Sequence, residues 1–278
     1  MINSLGSMRL SSNGACRNRC EPCETEIKSE WGMRSAAQAQ VVDSPFRIPH
    51  SQLLTMPNRV LITAFEPFGP WTTNASWLAL VELTRDLPSD PQVTTRLYPV
   101  DFAKVRDRLK QDLAQNYDVA IHLGQAAGEA GIRMETVGLN IRSPASDGLP
   151  TGHSFGTLVD DGPLAYASDL PMALLAERLR SAGIPASVSH HAGTYVCNAT
   201  LYLARYMVER MAVRTRVGFI HLPLETSQAA LDGAKMPSLP ASVSAAAIRE
   251  VLAAVPEIVD GTDGTDETHG SHSSYKSH

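Results

Sequence analysis

The sequence predicts an α/β protein: a three-layer α/β/α sandwich around a mainly parallel, twisted sheet, in a single domain. Three observations carry that reading. Apolar runs of strand length alternate with longer segments of helical spacing across residues 57–259, and such alternation places helices on both faces of a parallel sheet. The composition is ordinary for a globular chain, with 43% hydrophobic and 19% charged residues among 278. The segment 57–259 is also large enough to bury a sizeable core.

The elements follow in order. Residues 59–65 (RVLITAF) are a short apolar run, expected as a buried strand. Residues 74–87 have helical spacing, with Trp77, Leu80, Val81 and Thr84 on one side. Residues 92–100 alternate and read as a second strand. Asp101 suits the N-cap of a helix over 101–116, whose Phe102, Val105, Leu109 and Leu113 share a face. A buried strand follows at 117–124 and an alternating one at 132–141. Ser, Asp, Gly and Pro enrich 142–169, which reads as one long surface loop. Then come a helix at 171–183, with Pro171 in its first turn and Gly183 past its end, and a strand at 184–191. A long helix at 194–212, a strand at 216–224 and a closing helix at 240–259 complete the domain.

The two ends differ from this core. Residues 1–56 show no sustained period, and are expected as a disordered extension or the product of a misplaced start, with Met33 and Met56 as other starts. Cys16, Cys20 and Cys23 in this leader have a spacing that resembles the iron–sulfur triad of radical SAM enzymes. Their polar, irregular surroundings favour no function, with adventitious metal binding as the alternative. Residues 260–278 are too polar to offset their ordering entropy and read as a solvated tail, although His269, His272 and His278 could bind metal loosely.

Charge and motifs remove several function classes. The net charge of −5 argues against a dedicated nucleic-acid binder. No apolar run approaches the ~18 residues of a membrane span, and the first thirty or so residues lack the apolar region of a signal peptide. A cytoplasmic protein acting without membrane or nucleic acid is expected. There is no G-x-G-x-x-G after a strand, no phosphate-binding P-loop and no H-E-x-x-H helix, so neither a cofactor nor a metal is expected in the core.

The body of the chain holds a single cysteine, Cys197, so no disulfide framework can form there. It lies in HHAGTYVCNATLY, where a strand, a Gly-Thr turn and a helix follow one another. That places the thiol in the first helical turn, where partial positive charge and free N–H groups favour a thiolate and can receive an oxyanion. The other reading is a small buried hydrophobe under the sheet. A base is offered by His122, His153, His190, His191 or His221. His221 stands near the end of a strand reached by a β-α-β path from the same region, so its ring can meet the thiol; a structural histidine is the alternative. Glu135 lies mid-strand among apolar neighbours, where a carboxylate needs a partner. Orienting an imidazole is one use for it, and an ion pair with Arg133 or Arg142 is the other.

Several stretches together resemble the pyrrolidone-carboxylate peptidase (pyroglutamyl peptidase I) family of cysteine peptidases. VLITAFEPFG…NASW is similar to its opening strand and aromatic loop, HLGQAAG…IRMETVGLNI to its Gln and glutamate segment, AGTYVCN to its nucleophile turn, and GFIHLP to its histidine strand. DDGPLAY and GIPASVS add further matches. The resemblance implies a triad of Glu135, Cys197 and His221 that hydrolyses the amide after an N-terminal pyroglutamyl residue through a thioacyl-enzyme. It further implies aromatic pocket walls from Phe65 and Phe68, a polar contact from Gln125, lining by Tyr195 and Val196, and a homo-oligomer, a tetramer. The substrates would be N-terminally pyroglutamylated peptides. The family's arginine about ten residues after the glutamate is replaced here by Ala145, with Arg142 earlier as a possible substitute. Another thiol-dependent amidase on this scaffold, or a non-catalytic ligand-binding relative, are the competing functions.

Overall fold

The computed structural model describes residues 58–143, 156–231, 233 and 235–261. The expectations for the leader with its three cysteines, and nearly all of the tail, lie outside these residues. Every described residue falls in one compact unit, Leu54–His278.

The first strand, β1 (Arg59–Phe65), leads to α1 (Ala75–Leu83), then β2 (Gln92–Tyr98), α2 (Phe102–Leu113) and β3 (Val119–Gln125). Next stand β4 (Ile132–Glu135), β5 (Val137–Leu139) and β6 (Ala165–Ala167), followed by α3 (Met172–Ser181) and β7 (Ala186–Ser189). The chain continues through α4 (Val196–Met211), β8 (Arg216–Leu222), α5 (Thr226–Leu231), α6 (Ala241–Ala253) and α7 (Val255–Val259). The main sheet runs β2-β1-β3-β8-β4-β7, and every neighbouring pair is parallel except β4 against β8. This is the expected α/β sandwich.

Period-two alternation sorts the sheet residues between two cores. Val60, Ile62, Val119, Ile121, Leu123, Ile132, Met134 and Ile220 pack with α1, α3 and α6 on one face. Leu61, Phe65, Ala120, Val217 and Phe219 pack with α2 and α4 on the other. Helix α2 begins as expected: the Asp101 carboxylate accepts the Lys104 N–H at 2.9 Å, and Val105, Leu109 and Leu113 are buried.

Four expectations need correction. Helix α1 buries Ala75, Ser76, Ala79, Leu80 and Leu83, whereas Val81 and Thr84 face solvent. Its core side thus combines the small Ala75, Ser76 and Ala79 with Leu80 and Leu83. The segment 132–141 is two strands in two sheets, because the Thr136 amide and hydroxyl both turn to Ser189 O, at 2.8 and 3.0 Å. Beyond that break β5 pairs with β6 and rests on α4, so closely that a Cβ on Gly138 would lie 2.7 Å from Tyr202 N. The stretch 142–169 is not one surface loop, since it holds β6 and buries Leu158; residues 144–155 lie outside the described set. The closing helix is split at Ala254 into α6 and α7, and Pro256, in the first turn of α7, has no N–H to carry the ladder back across the break.

Candidate active site

The face of the sheet beneath α4 carries the polar residues. Antiparallel pairing sets Arg133 opposite His221 and Glu135 opposite Phe219, so Arg133, Glu135 and His221 all project to that face. His221 Nδ1 lies 2.8 Å from Glu135 Oε1. Glu135 is 1% exposed, and its Oε2 has no hydrogen-bond partner. This geometry answers the question left open by the sequence, since the close partner of the carboxylate is the imidazole, while Arg133 Nε stands 4.0 Å away. Room for the ring comes from β3. A Cβ on Gly124 would lie 2.9 Å from His221 Cδ2 and 2.8 Å from Phe219 Cζ.

The other partner of His221 is Cys197. Burial disfavours a charged ring, yet the Cys197 thiolate and the Glu135 carboxylate outweigh it and push the His221 pKa up to about 10. Cys197 is the second residue of α4 and is half-buried. The N-cap residue, Tyr195, supplies no side-chain acceptor to the first turn. The orphan amides there can therefore meet an oxyanion. Asn198 fixes the helix end in place: its Oδ1 accepts Leu139 N–H at 2.8 Å, and its Nδ2 donates to Leu139 O and Ile141 O at 2.9 and 3.0 Å. It is fully buried.

A cavity of about 510 Å³ opens beside the pair, lined by Phe68, Trp71, Gln125, Glu129, Arg133, Glu135, His191, His221 and Met236 among others. Among the expected binding residues, Phe68 and Gln125 reach it. Gln125 Oε1 accepts Ala75 N–H at 2.7 Å and Gln228 Nε2 at 2.8 Å, while its own Nε2 has no partner. Phe65 lies in the core, 2% exposed, with Tyr98 and Phe219 rings each 6.4 Å away. Val196 is buried, and Tyr195 packs edge-on to Phe102 at 5.2 Å. None of these three lines the cavity: Tyr195 and Val196 immediately precede Cys197 at the start of α4, and Phe65 packs on Phe219, whose ring is the one beside His221. Arg142 borders a separate cavity of about 380 Å³, with Asp101, Phe102, Arg106, Leu158 and Leu203.

Sequence reasoning missed Asn198, Gln228, Asn74 and Ser189. Asn74 donates from Nδ2 to Glu66 O at 3.0 Å and accepts Ser76 N–H at 3.0 Å, tying the aromatic loop to the start of α1. An Asn before an apolar helical run is a legible cap signal; the other three depend on contacts distant in sequence. His122 also proves structural: it is fully buried, with Nδ1 2.8 Å from Thr63 Oγ1, and burial lowers its pKa to about 3. Among the described residues, no cluster of His, Cys, Asp and Glu could hold a metal ion, and no helix is long and apolar enough to cross a membrane.

An open α/β sheet that gathers a helix-terminal thiol, an imidazole and a buried carboxylate defines a thiol hydrolase class. Comparison with known proteins narrows the class: residues 58–258 match the family described as pyroglutamyl peptidase, and the chain belongs to that family. It is 41% identical over 174 residues to the pyrrolidone-carboxylate peptidase of Clavibacter michiganensis, covering 61% of this chain and 80% of the relative. With the Streptomyces coelicolor pyrrolidone-carboxylate peptidase the identity is 37% over 198 residues, 70% of this chain and 91% of the relative. The crystal structure of pyrrolidone carboxyl peptidase from Fervidobacterium islandicum superposes with a TM-score of 0.67 at 32% identity, covering 72% of this chain and 99% of that one. A Pyrococcus furiosus pyrrolidone carboxyl peptidase structure gives 0.67 at 30% identity, over 72% and 99% of the two chains.

Proposed function

We propose that this protein is a cysteine exopeptidase that hydrolyses the amide bond after an N-terminal pyroglutamyl residue, with residues 57–259 as its catalytic domain. The observation that carries the reading is the contact of His221 with both Cys197 and Glu135, at the leading end of α4. The Cys197 thiolate attacks the pyroglutamyl carbonyl carbon, and the negative charge moves to the oxygen, which first-turn amides of α4 receive. Nε2 of His221 then gives its proton to the departing amine as the C–N bond breaks, leaving a thioacyl-enzyme. Water attacks that thioester, His221 takes the water proton, and 5-oxoproline leaves as the thiol is regenerated. Glu135, bound to Nδ1, holds the ring in the orientation both steps require.

A pyroglutamyl residue is a neutral lactam with flat apolar faces. It suits a cavity with an aromatic wall at Phe68 and an unpartnered amide donor at Gln125 Nε2. Tyr195 and Val196 stand next to the nucleophile at the start of α4, and Phe65 packs on Phe219 beside His221. The family likeness also favours a cytoplasmic homotetramer, which light scattering on the purified chain tests. Turnover of pyroglutamyl-aminocoumarin tests the chemistry. Wild type should release the fluorophore, and Cys197→Ser should lose roughly a thousandfold or more in kcat without a change in folding. Equal turnover by the two proteins refutes the assignment.

A further inference from the structure

One charged residue at the site has no part in the mechanism above. Arg133 lies on β4 directly opposite His221 and lines the cavity. Its Nη1 meets both carboxylate oxygens of Glu129 at 3.1 Å, its Nη2 donates to Ser189 Oγ at 2.9 Å, and its Nε faces Glu135 Oε1 at 4.0 Å. Three elements thus hold one guanidinium beside the carboxylate that orients the imidazole. Its Nη atoms are held by Glu129 and Ser189 while its Nε stays near Glu135.

We propose that Arg133 is a positioning residue: by sharing the charge of Glu135, it limits how tightly that carboxylate holds the His221 imidazolium. The inference rests on the catalytic reading of His221 given above. Glu135 is 1% exposed, so its charge must be balanced locally. Its ion pairs among the described residues are with His221 and Arg133. The groups that face this pair are Arg133 from β4, Cys197 from α4, Glu129 from the β3–β4 connection, Ser189 from β7 and His191 beyond it. His122 on β3 shares the same face and is neutral.

An imidazolium clasped by both a thiolate and a carboxylate is reluctant to release its proton, yet it must protonate the leaving amine. A cation against Glu135 eases that release. Glu129 opposes the effect, because it draws Arg133 toward solvent. Charge removal at the two ends of this row should therefore act in opposite directions.

The experiment is the pH dependence of kcat/KM for pyroglutamyl-aminocoumarin, together with the pH dependence of Cys197 alkylation by iodoacetamide. In Arg133→Gln the alkaline limb should move up by roughly half a pH unit or more, with a several-fold loss of kcat and little change in KM. Arg133→Lys keeps the charge and should return the limb close to its wild-type position. Glu129→Gln should move the limb down by a smaller amount. Opposite shifts support the proposal. Limbs that stay at the wild-type position in both Arg133→Gln and Glu129→Gln overturn it, and where Arg133→Gln folds poorly, an unmoved limb in Glu129→Gln alone does so. Cys197→Ser separates the two levels: if it loses turnover while the limbs stay fixed, only the role of Arg133 fails, and if it keeps turnover, the catalytic reading fails.

Discussion

The two faces of the central sheet are built from different materials. Against α1, α3 and α6 the buried hydrophobic residues carry no aromatic ring and include Ile62, Leu80, Leu123, Ile248 and Val251, with only small hydroxyl groups such as those of Ser76 and Ser244 buried in the packed helices. Against α2 and α4 the core combines aliphatic side chains with the rings of Phe65, Tyr98, Tyr202 and Phe219. Thr63, His122, Glu135, Asn198 and His221 are buried on that same face. Aliphatic packing stabilises in proportion to the area removed from water, whereas buried polar groups are expensive unless hydrogen-bonded. The first face is packed chiefly by apolar contacts, and the second also holds desolvated polar groups, some structural, such as His122 and Asn198, and some at the site, such as Glu135 and His221. Among the buried polar atoms without a partner, Glu135 Oε2 and His122 Nε2 belong to this face, whereas Gln125 Nε2 belongs to the other, beside α1.

The contrast can be broken most severely at Gly124. Alanine there places a methyl group 2.9 Å from His221 Cδ2 and 2.8 Å from Phe219 Cζ. The imidazole must shift, and a displacement of about 1 Å in a catalytic group is worth roughly a hundredfold in rate. Gly124→Ala should lose at least about that much kcat in the aminocoumarin assay while remaining folded by circular dichroism. The opposite face should behave in the opposite way. Leu80 is fully buried in the aliphatic core, and Leu80→Ala should lower unfolding stability by about 2–5 kcal/mol, measured by urea titration. Its kcat at a temperature where it is fully folded should stay within about twofold of wild type.

Asn198 joins the two kinds of role. Alanine removes three hydrogen bonds that pin the start of α4 to the segment after β4. We expect a stability loss of about 1–3 kcal/mol and a fall in kcat, because the same bonds hold the turn that carries Cys197. A stability loss with unchanged kcat would separate the two.

How much of this was legible depends on the range over which each residue's role is set. The helix-terminal thiol, the alternation that turns Glu135 and His221 to one face, and the Asp101 cap are local patterns, and they stand in the sequence. The break at Thr136 is not, because Met134, Glu135, Thr136 and Val137 continue a strand pattern. It is imposed by Ser189, 53 residues away. The three-residue strand β6 has no periodicity to detect. Asn198 appears beside the cysteine in the motif, but its partners lie 57 and 59 residues away. Arg133 was foreseeable only as a neighbour of Glu135, and its bridge from Glu129 to Ser189 exists only once β4 and β7 pair.

Two histidines on the polar face sharpen the comparison within that face. His221 gains its charge from anionic partners, whereas His122 has only the Thr63 hydroxyl and a buried, unpartnered Nε2. Burial lowers the His122 pKa from 6.5 to about 3. Between those values the unfolded chain binds a proton that the folded chain refuses, so stability falls as pH drops through 6.5 toward 3. The limiting slope for one such group is ~1.4 kcal/mol per pH unit. In His122→Gln the side chain keeps a hydrogen-bonding group for Thr63 and cannot titrate. The stability difference between wild type and this variant, from urea midpoints, should therefore move by roughly 1 kcal/mol from pH 6.5 to 5.5 in favour of the variant. A difference that stays constant over that interval would mean that His122 takes up its proton in the fold, and that the aromatic core is less dry than its packing implies.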